Sequence, residues 1–133
     1  MQKFLSQFKP HLTPMLYVQM ESRVFTTADR FVEGYNGGTW PSFKTPNGAW
    51  SLAVPSKDGR VHIVSPMNGA DVTTDVKSAG IALSILVVSW TWELLDEVLT
   101  DSGSVKFAQV REQLLKAAES GQFDYESIRA IID

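Results

Sequence analysis

Apolar residues recur at spacings of three and four from Pro14 to Tyr35, at Leu16, Met20, Val24, Ala28, Phe31 and Tyr35, which predicts an amphipathic helix. Thr26 and Thr27 interrupt the run and can cap a second helix, so the pattern allows a break there. Gly37 and Gly38 are expected to end the helical stretch, because glycine accepts the positive φ with which a chain leaves a helix and reverses. The period then shortens to two. TWPSF, AWSLAV and RVHIV are short runs rich in β-branched and aromatic residues, and Trp50, Leu52 and Val54 alternate with Ser51 and Ala53. Pro46-Asn47-Gly48 and Asp58-Gly59 supply turn chemistry between these runs, which predicts an antiparallel meander. Pro41 has no N–H for a ladder and places the first strand at an edge.

SPMNGADVT, from Ser65, reads as a loop, after which Thr74 or Asp75 is a candidate N-cap for a long helix to about Leu99. Ile81, Ile85, Val88, Trp92 and Leu95 lie on one face of it, and Leu83, Val87, Trp90 and Leu94 on another, the pattern of a central helix touching several neighbours. Asp101–Ser104 is expected to break the helix. Val105–Ser120 follows as a third helical pattern with the stripe Phe107, Val110, Leu114 and Ala118, stopped by Gly121. Asp124 caps a last short helix bearing Ile128 and Ile131. The resulting expectation is a single α+β domain over residues 1–133. It has a small three-stranded antiparallel meander sheet packed with about four to five helices, and residues 1–13 are expected to be flexible.

Composition narrows the function classes. An apolar share of 44% supports a packed core, and the absence of cysteine excludes disulfides and thiolate metal sites, which suits a reducing cytoplasm. The net charge of -3 argues against direct DNA binding, and it is too mild for mimicry of DNA, which carries one charge per ~1.7 Å of axis. The N-terminal MQKFLSQFKPHLTP holds no long apolar stretch and is not a signal peptide. The uncharged run Ser78 to Trp92 falls short of the ~20 residues that cross a bilayer, so it reads as a core helix with no membrane role.

No catalytic, cofactor-binding or metal-ligating set is evident. His11 and His62 are the only histidines; His62 alternates with Val61 and Ile63 on a predicted strand, and neither belongs to a zinc motif. Glu93, Asp96 and Glu97 share a helix face, as a solvated helix end or as a small acidic patch for a basic partner. The glycines of EGYNGGTW (33–40) invite a phosphate-loop reading. That loop needs a strand before the glycines and a helix after, whereas here the predicted order is helix, glycines, strand. A joint between elements is therefore preferred. Trp40 and Trp50, near predicted strand starts, are core residues or interface anchors.

EGYNGGTW (33–40), followed by PNGAW (46–50) and by SAGI (78–81), resembles the antirestriction protein family of ArdB and KlcA. In that family a helix ends in a Tyr-(Asn/Asp)-Gly-Gly run, then come an aromatic strand, a Pro-Asn-Gly turn and a small-residue start to a long helix. The resemblance spans about Glu21 to Trp92 and is densest over Glu33 to Trp50; Thr27 and the loop at SPMNGADV depart from the family pattern. It implies a small bacterial protein carried by plasmids or other mobile elements. Its role would be to relieve restriction of unmodified incoming DNA by type I restriction–modification complexes, directly or indirectly, through protein contact rather than catalysis. On that basis Glu33, Asn36, Gly37, Gly38, Trp40 and Trp50 form the candidate partner-contact set. The glycines with Asn36 would shape the joint, the tryptophans supply area and Glu33 polarity. Two other readings stand beside it. A DNA-binding accessory protein of a mobile element would gather Lys3, Lys9, Arg23 and Arg30 on one side. A hydrolase would need His62 beside an acid in a concave pocket.

Overall fold

A computed structural model describes all of residues 1–133. Its elements are α1 (Gln2–Ser6), a 3₁₀ turn (Lys9–His11), α2 (Pro14–Phe31), β1 (Ser42–Lys44), β2 (Trp50–Leu52), β3 (Arg60–Val64), β4 (Asp71–Asp75), α3 (Val76–Leu95), α4 (Asp101–Ala118) and α5 (Tyr125–Ile132). The class is α+β, as the sequence predicts. Helix α3 is the centre: Ala79–Ile85, Val87 and Val88 are buried, and α2, α4, α5 and the β1–β2 hairpin pack around it. It is also long and apolar enough to cross a membrane, but here it is enclosed by the other elements as a core helix.

The sheet differs from the expected three-stranded meander. The strands form two separate antiparallel hairpins, β1–β2 and β3–β4. Leu52 ends β2, after which Ala53 N–H donates to the Pro41 carbonyl at 2.9 Å and Val54 N–H to the Val76 carbonyl at 3.1 Å. Pro55 then offers no donor, so the backbone turns toward the start of α3 and does not pair with β3. The partner of β3 is Asp71–Asp75, which takes in the end of the segment expected to be a loop and both N-cap candidates, in the register Val61↔Thr74 and Ile63↔Val72.

Several helix boundaries also move. Helix α2 runs through Thr26 and Thr27 without a break; the Thr26 hydroxyl donates to the Ser22 carbonyl one turn back and so does not cap a second helix. It ends at Phe31, before the glycine pair. Thr100 caps α4 through Gly103 N–H, so Asp101–Ser104 is the first turn of a helix and not a breaker. Residues 1–13, expected to be flexible, carry Phe4, Leu5 and Phe8 into the main core.

Asp75 and Asp124 are both N-caps. Asp75 accepts from the N–H groups of Lys77 and Ser78. Asp124 accepts from Ser127 N–H, the Ser127 hydroxyl and, at 2.8 Å, the Thr74 hydroxyl, while its own N–H donates to Ser78 Oγ. It therefore ties β4, α3 and α5 together. Burial pushes the Asp75 carboxyl up, but hydrogen bonds from Ser78 and Lys77 outweigh it and the net shift is downward. The Ser127 hydroxyl, with Thr74, holds Asp124 below the ordinary carboxylate range. A depressed folded value stabilises the fold above about pH 4, and that stabilisation is lost as pH falls through the lower folded value. Asp124→Ala is expected to cost about 2–3 kcal/mol at neutral pH. It should also flatten the loss of stability on acidification, both read from urea midpoints between pH 7 and pH 3.

Candidate functional site

Helix α2 does not run into the glycines; it is stapled to β3 first. Val32 bridges Ile63, and Glu33 N–H donates to the His62 carbonyl at 2.9 Å. Gly34, at φ +73, reverses the chain, and Asn36–Thr39 then runs without regular structure to Trp40. Gly37 and Gly38 hold φ of +94° and +116°, which few other residues adopt cheaply. A Cβ at Gly38 would lie 3.1 Å from Pro55 Cβ. The pair thus lets the segment lie flat against the start of the β2–β3 connection. The order is helix, glycines, strand, so the glycines act as a joint and do not form a phosphate loop.

This arrangement makes an open cleft of about 620 Å³. Glu33, Asn36, Gly37 and Gly38 line one wall; Lys57, Arg60 and His62 reach it from the other side. Asp58 orders the second wall: it accepts from Arg60 N–H at 3.0 Å and lies 2.9 Å from the Ser56 hydroxyl. The Arg60 backbone bond, then Ser56, holds the Asp58 carboxyl below its ordinary value. The Arg60 guanidinium donates to the Thr73 carbonyl across the hairpin at 3.2 Å. The lining is mostly polar and carries both signs of charge, which suits recognition of a polar surface.

His62 meets one condition of the hydrolase reading. Its Nε2 lies 2.5 Å from Asp71 Oδ1, at the rim of the cleft. The Asp71 carboxylate orients the imidazole, but the ring is 43% exposed and no protein hydroxyl is hydrogen-bonded to Nδ1. A histidine–carboxylate pair without a nucleophile or a developing-charge site is half of an acid–base machine. His62 is legible in the sequence, but Asp71 is not, because Asn68-Gly69 gives its strand the chemistry of a loop. Lys57 and Arg60 carry no sequence signal of their own, because they flank an ordinary Asp-Gly turn.

The structure separates the tryptophans from the rest of the candidate set. Trp40 is 3% exposed, and its indole N–H donates to the Tyr35 hydroxyl at 3.0 Å. Trp50 is half-buried, and its backbone N–H and carbonyl are both engaged by the Gln7 amide. Lys3 Nζ lies 5.7 Å above its ring. Neither tryptophan lines the cleft. Glu93, Asp96 and Glu97 are exposed at the end of α3 and take no part in an ion pair. Of the basic residues proposed for a stripe, Arg23 and Arg30 line a second groove while Lys3 stands over Trp50.

Gly38→Val should test the joint. The φ of +116° and the contact with Pro55 both oppose a β-branched side chain, so a loss of about 2–3 kcal/mol is expected from chemical denaturation. Gly37→Ala has open space around it and should cost about 1 kcal/mol, from backbone strain alone.

Comparison with known proteins agrees with this architecture. Escherichia coli K12 YfjX, of uncharacterised function, is 29% identical over 119 residues, covering 88% of this chain and 72% of its own. YubI of the same strain, provisionally named an antirestriction protein, is 30% identical over 106 residues, 77% of this chain and 69% of its own. YafX, also uncharacterised and from that strain, aligns at 32% identity over 74 residues, so the match spans 55% of this chain and about half (49%) of YafX. The solved structures of the KlcA and ArdB proteins share the fold, with a TM-score of 0.71 over 90% of this chain and 81% of that chain at 23% identity. Those proteins are described as having antirestriction activity against type I DNA restriction systems in vivo but not in vitro. The model of the antirestriction protein family matches residues 33–133, from Glu33 of the cleft to the last helix, and the chain belongs to that family.

Proposed function

We propose that this protein relieves type I restriction of unmodified incoming DNA by non-catalytic interference with the restriction–modification complex. Family membership and the fold shared with KlcA and ArdB give the reading its direction. The observation that carries it to particular residues is the cleft, where Glu33, Asn36, Gly37 and Gly38 face Lys57 and Arg60 across an open polar notch. The interaction is by docking: the notch offers donors, acceptors and both charges to a protein surface. Activity of KlcA and ArdB in vivo but not in vitro favours a route that includes a further cellular factor. Trp40 acts from beneath the notch by fixing Tyr35, not by touching the partner.

The test is the plating efficiency of unmodified phage on a strain with a type I restriction system, with and without the expressed protein. Plating should rise over empty vector. It should fall back in an Asn36→Ala/Lys57→Ala variant whose melting temperature is unchanged. Absence of any rise with the protein well expressed would remove the proposal. A rise that the double variant retains would remove the cleft from it.

A further inference from the structure

The second groove lies along α2 beside Trp90 of α3 and is lined by different residues: Gln19, Ser22, Arg23, Thr26, Thr27, Arg30 and Trp90. We propose that it binds a nucleoside phosphate, with the phosphate on Arg23 and Arg30 and the flat base against Trp90. This assignment does not rest on the antirestriction reading.

The chemistry of the lining is the first argument. No carboxylate lines the groove, and neither arginine takes part in an ion pair. Each guanidinium brings five donors and no acceptor. Thr27 is 4% exposed, yet its hydroxyl has no partner in the protein, and it lies on the groove wall. Thr91 Oγ1 is the side-chain atom that is fully buried without a partner, so the Thr27 oxygen is not sealed from solvent. The one internal bond in the lining, Thr26 Oγ1 to the Ser22 carbonyl, leaves the Ser22 hydroxyl free as well. The groove therefore presents two guanidinium groups with no carboxylate to neutralise them, beside amide and hydroxyl groups that can donate or accept.

Geometry selects among anions. Arg23 and Arg30 are seven residues apart on one helix, a separation of about 10.5 Å along the axis. A carboxylate has two oxygens and saturates one guanidinium. A phosphate monoester carries more acceptors and a linked body that can extend along two helical turns. Trp90 is half-buried, and Phe31 packs against it with ring centroids 5.9 Å apart, so its orientation is set before a ligand arrives. Its indole N–H forms no hydrogen bond within the protein, unlike that of Trp40. A volume of about 410 Å³ lies in the range of small-molecule sites.

The test follows the indole ¹H–¹⁵N resonances of the full chain during titration. The probes are thymidine monophosphate, inorganic phosphate, glutamate and an oligothymidylate strand. Thymidine monophosphate should move the Trp90 resonance saturably and leave that of Trp40 in place. Arg23→Gln and Arg30→Gln should each weaken binding about tenfold without changing the melting temperature. Arg30→Lys should recover only part of the loss, because it keeps the charge and loses the fork. Tighter, steeply salt-dependent binding of the strand would support the assignment and identify its source as a nucleic acid. Equal affinity per nucleotide would support it with a free nucleotide as the source. An unmoved Trp90 resonance, binding undiminished in the arginine variants, or glutamate or inorganic phosphate binding as tightly as the nucleotide would overturn it.

Discussion

Replacing Gly80 with alanine is expected to destabilise this protein more than any other single methyl group could, by about 3–5 kcal/mol. A Cβ there would stand 1.7 Å from the Leu52 carbonyl oxygen, 2.5 Å from the Leu52 carbonyl carbon and 2.8 Å from Ala53 Cα. All of these atoms are backbone, so no side chain can swing aside. Helix α3 would have to retreat from β2 by something on the order of an ångström in a core packed like a crystal. Ser84 Oγ, which accepts from Leu52 N–H at 3.1 Å, would lose its partner, as would the Val76 carbonyl that accepts from Val54 N–H. Intrinsic propensity acts the other way, since alanine in a helix is favoured over glycine by about 1 kcal/mol. Sterics win by the larger magnitude. Urea denaturation of Gly80→Ala beside Gly121→Ala decides the matter. Gly121, unlike the helical Gly80, has a positive φ (+87°) but nothing within 4 Å, so strain of about 1–2 kcal/mol is all it should show. Equal midpoints for the two variants would mean that α3 does not sit this close to β2.

The same contact explains which parts of the fold were legible in the sequence. Ser78-Ala79-Gly80 entered only through the family resemblance, and its close approach to β2 is visible in the fold alone, whereas Asp75 and Asp124 stand where the sequence places N-caps. Strand β4 was hidden because Asn68-Gly69 counted as loop chemistry, whereas a dipeptide of that kind between β-branched runs is also a hairpin signal. The end of α2 was misplaced because glycine was given the stopping role. What stops the helix is the pairing of Val32 with Ile63, a tertiary event that no local pattern announces. The cleft has the same origin. Glu33–Gly38 was singled out from the sequence, but Lys57, Arg60 and His62 lie more than a whole strand away along the chain. They reach it through that bridge and the Glu33–His62 hydrogen bond. Tryptophan was ambiguous for a different reason: large aromatic area serves a core and an interface alike. For Trp40 the available Tyr35 hydroxyl lets the indole N–H be buried without cost, and that decides for the core.

Phe8→Ala is the second variant with a large expected effect, a loss of about 3–4 kcal/mol. Phe8 is fully buried, with the Phe107 ring centroid 4.5 Å away and that of Phe4 at 5.8 Å. Truncation would leave a cavity between α1 and α4 that the rigid α3–α4 pair cannot close. Gln7 fixes the segment from its other side by bonding both backbone groups of Trp50, so the N-terminus is held by packing and by a strand-like pair of hydrogen bonds. A segment that was free of the core would show almost no effect, because a solvated phenylalanine contributes little to stability. Against a typical total of about 5–15 kcal/mol, the expected loss is large enough to read directly from a urea midpoint. Phe8→Ala/Phe107→Ala should then cost less than the sum of the single variants, since the first truncation already removes the contact that the second would break. Additive losses would place the two rings in separate environments. Cleavage by trypsin after Lys3 provides an independent readout: it should be slow in the native chain and fast in Phe8→Ala, following the population of the locally opened state.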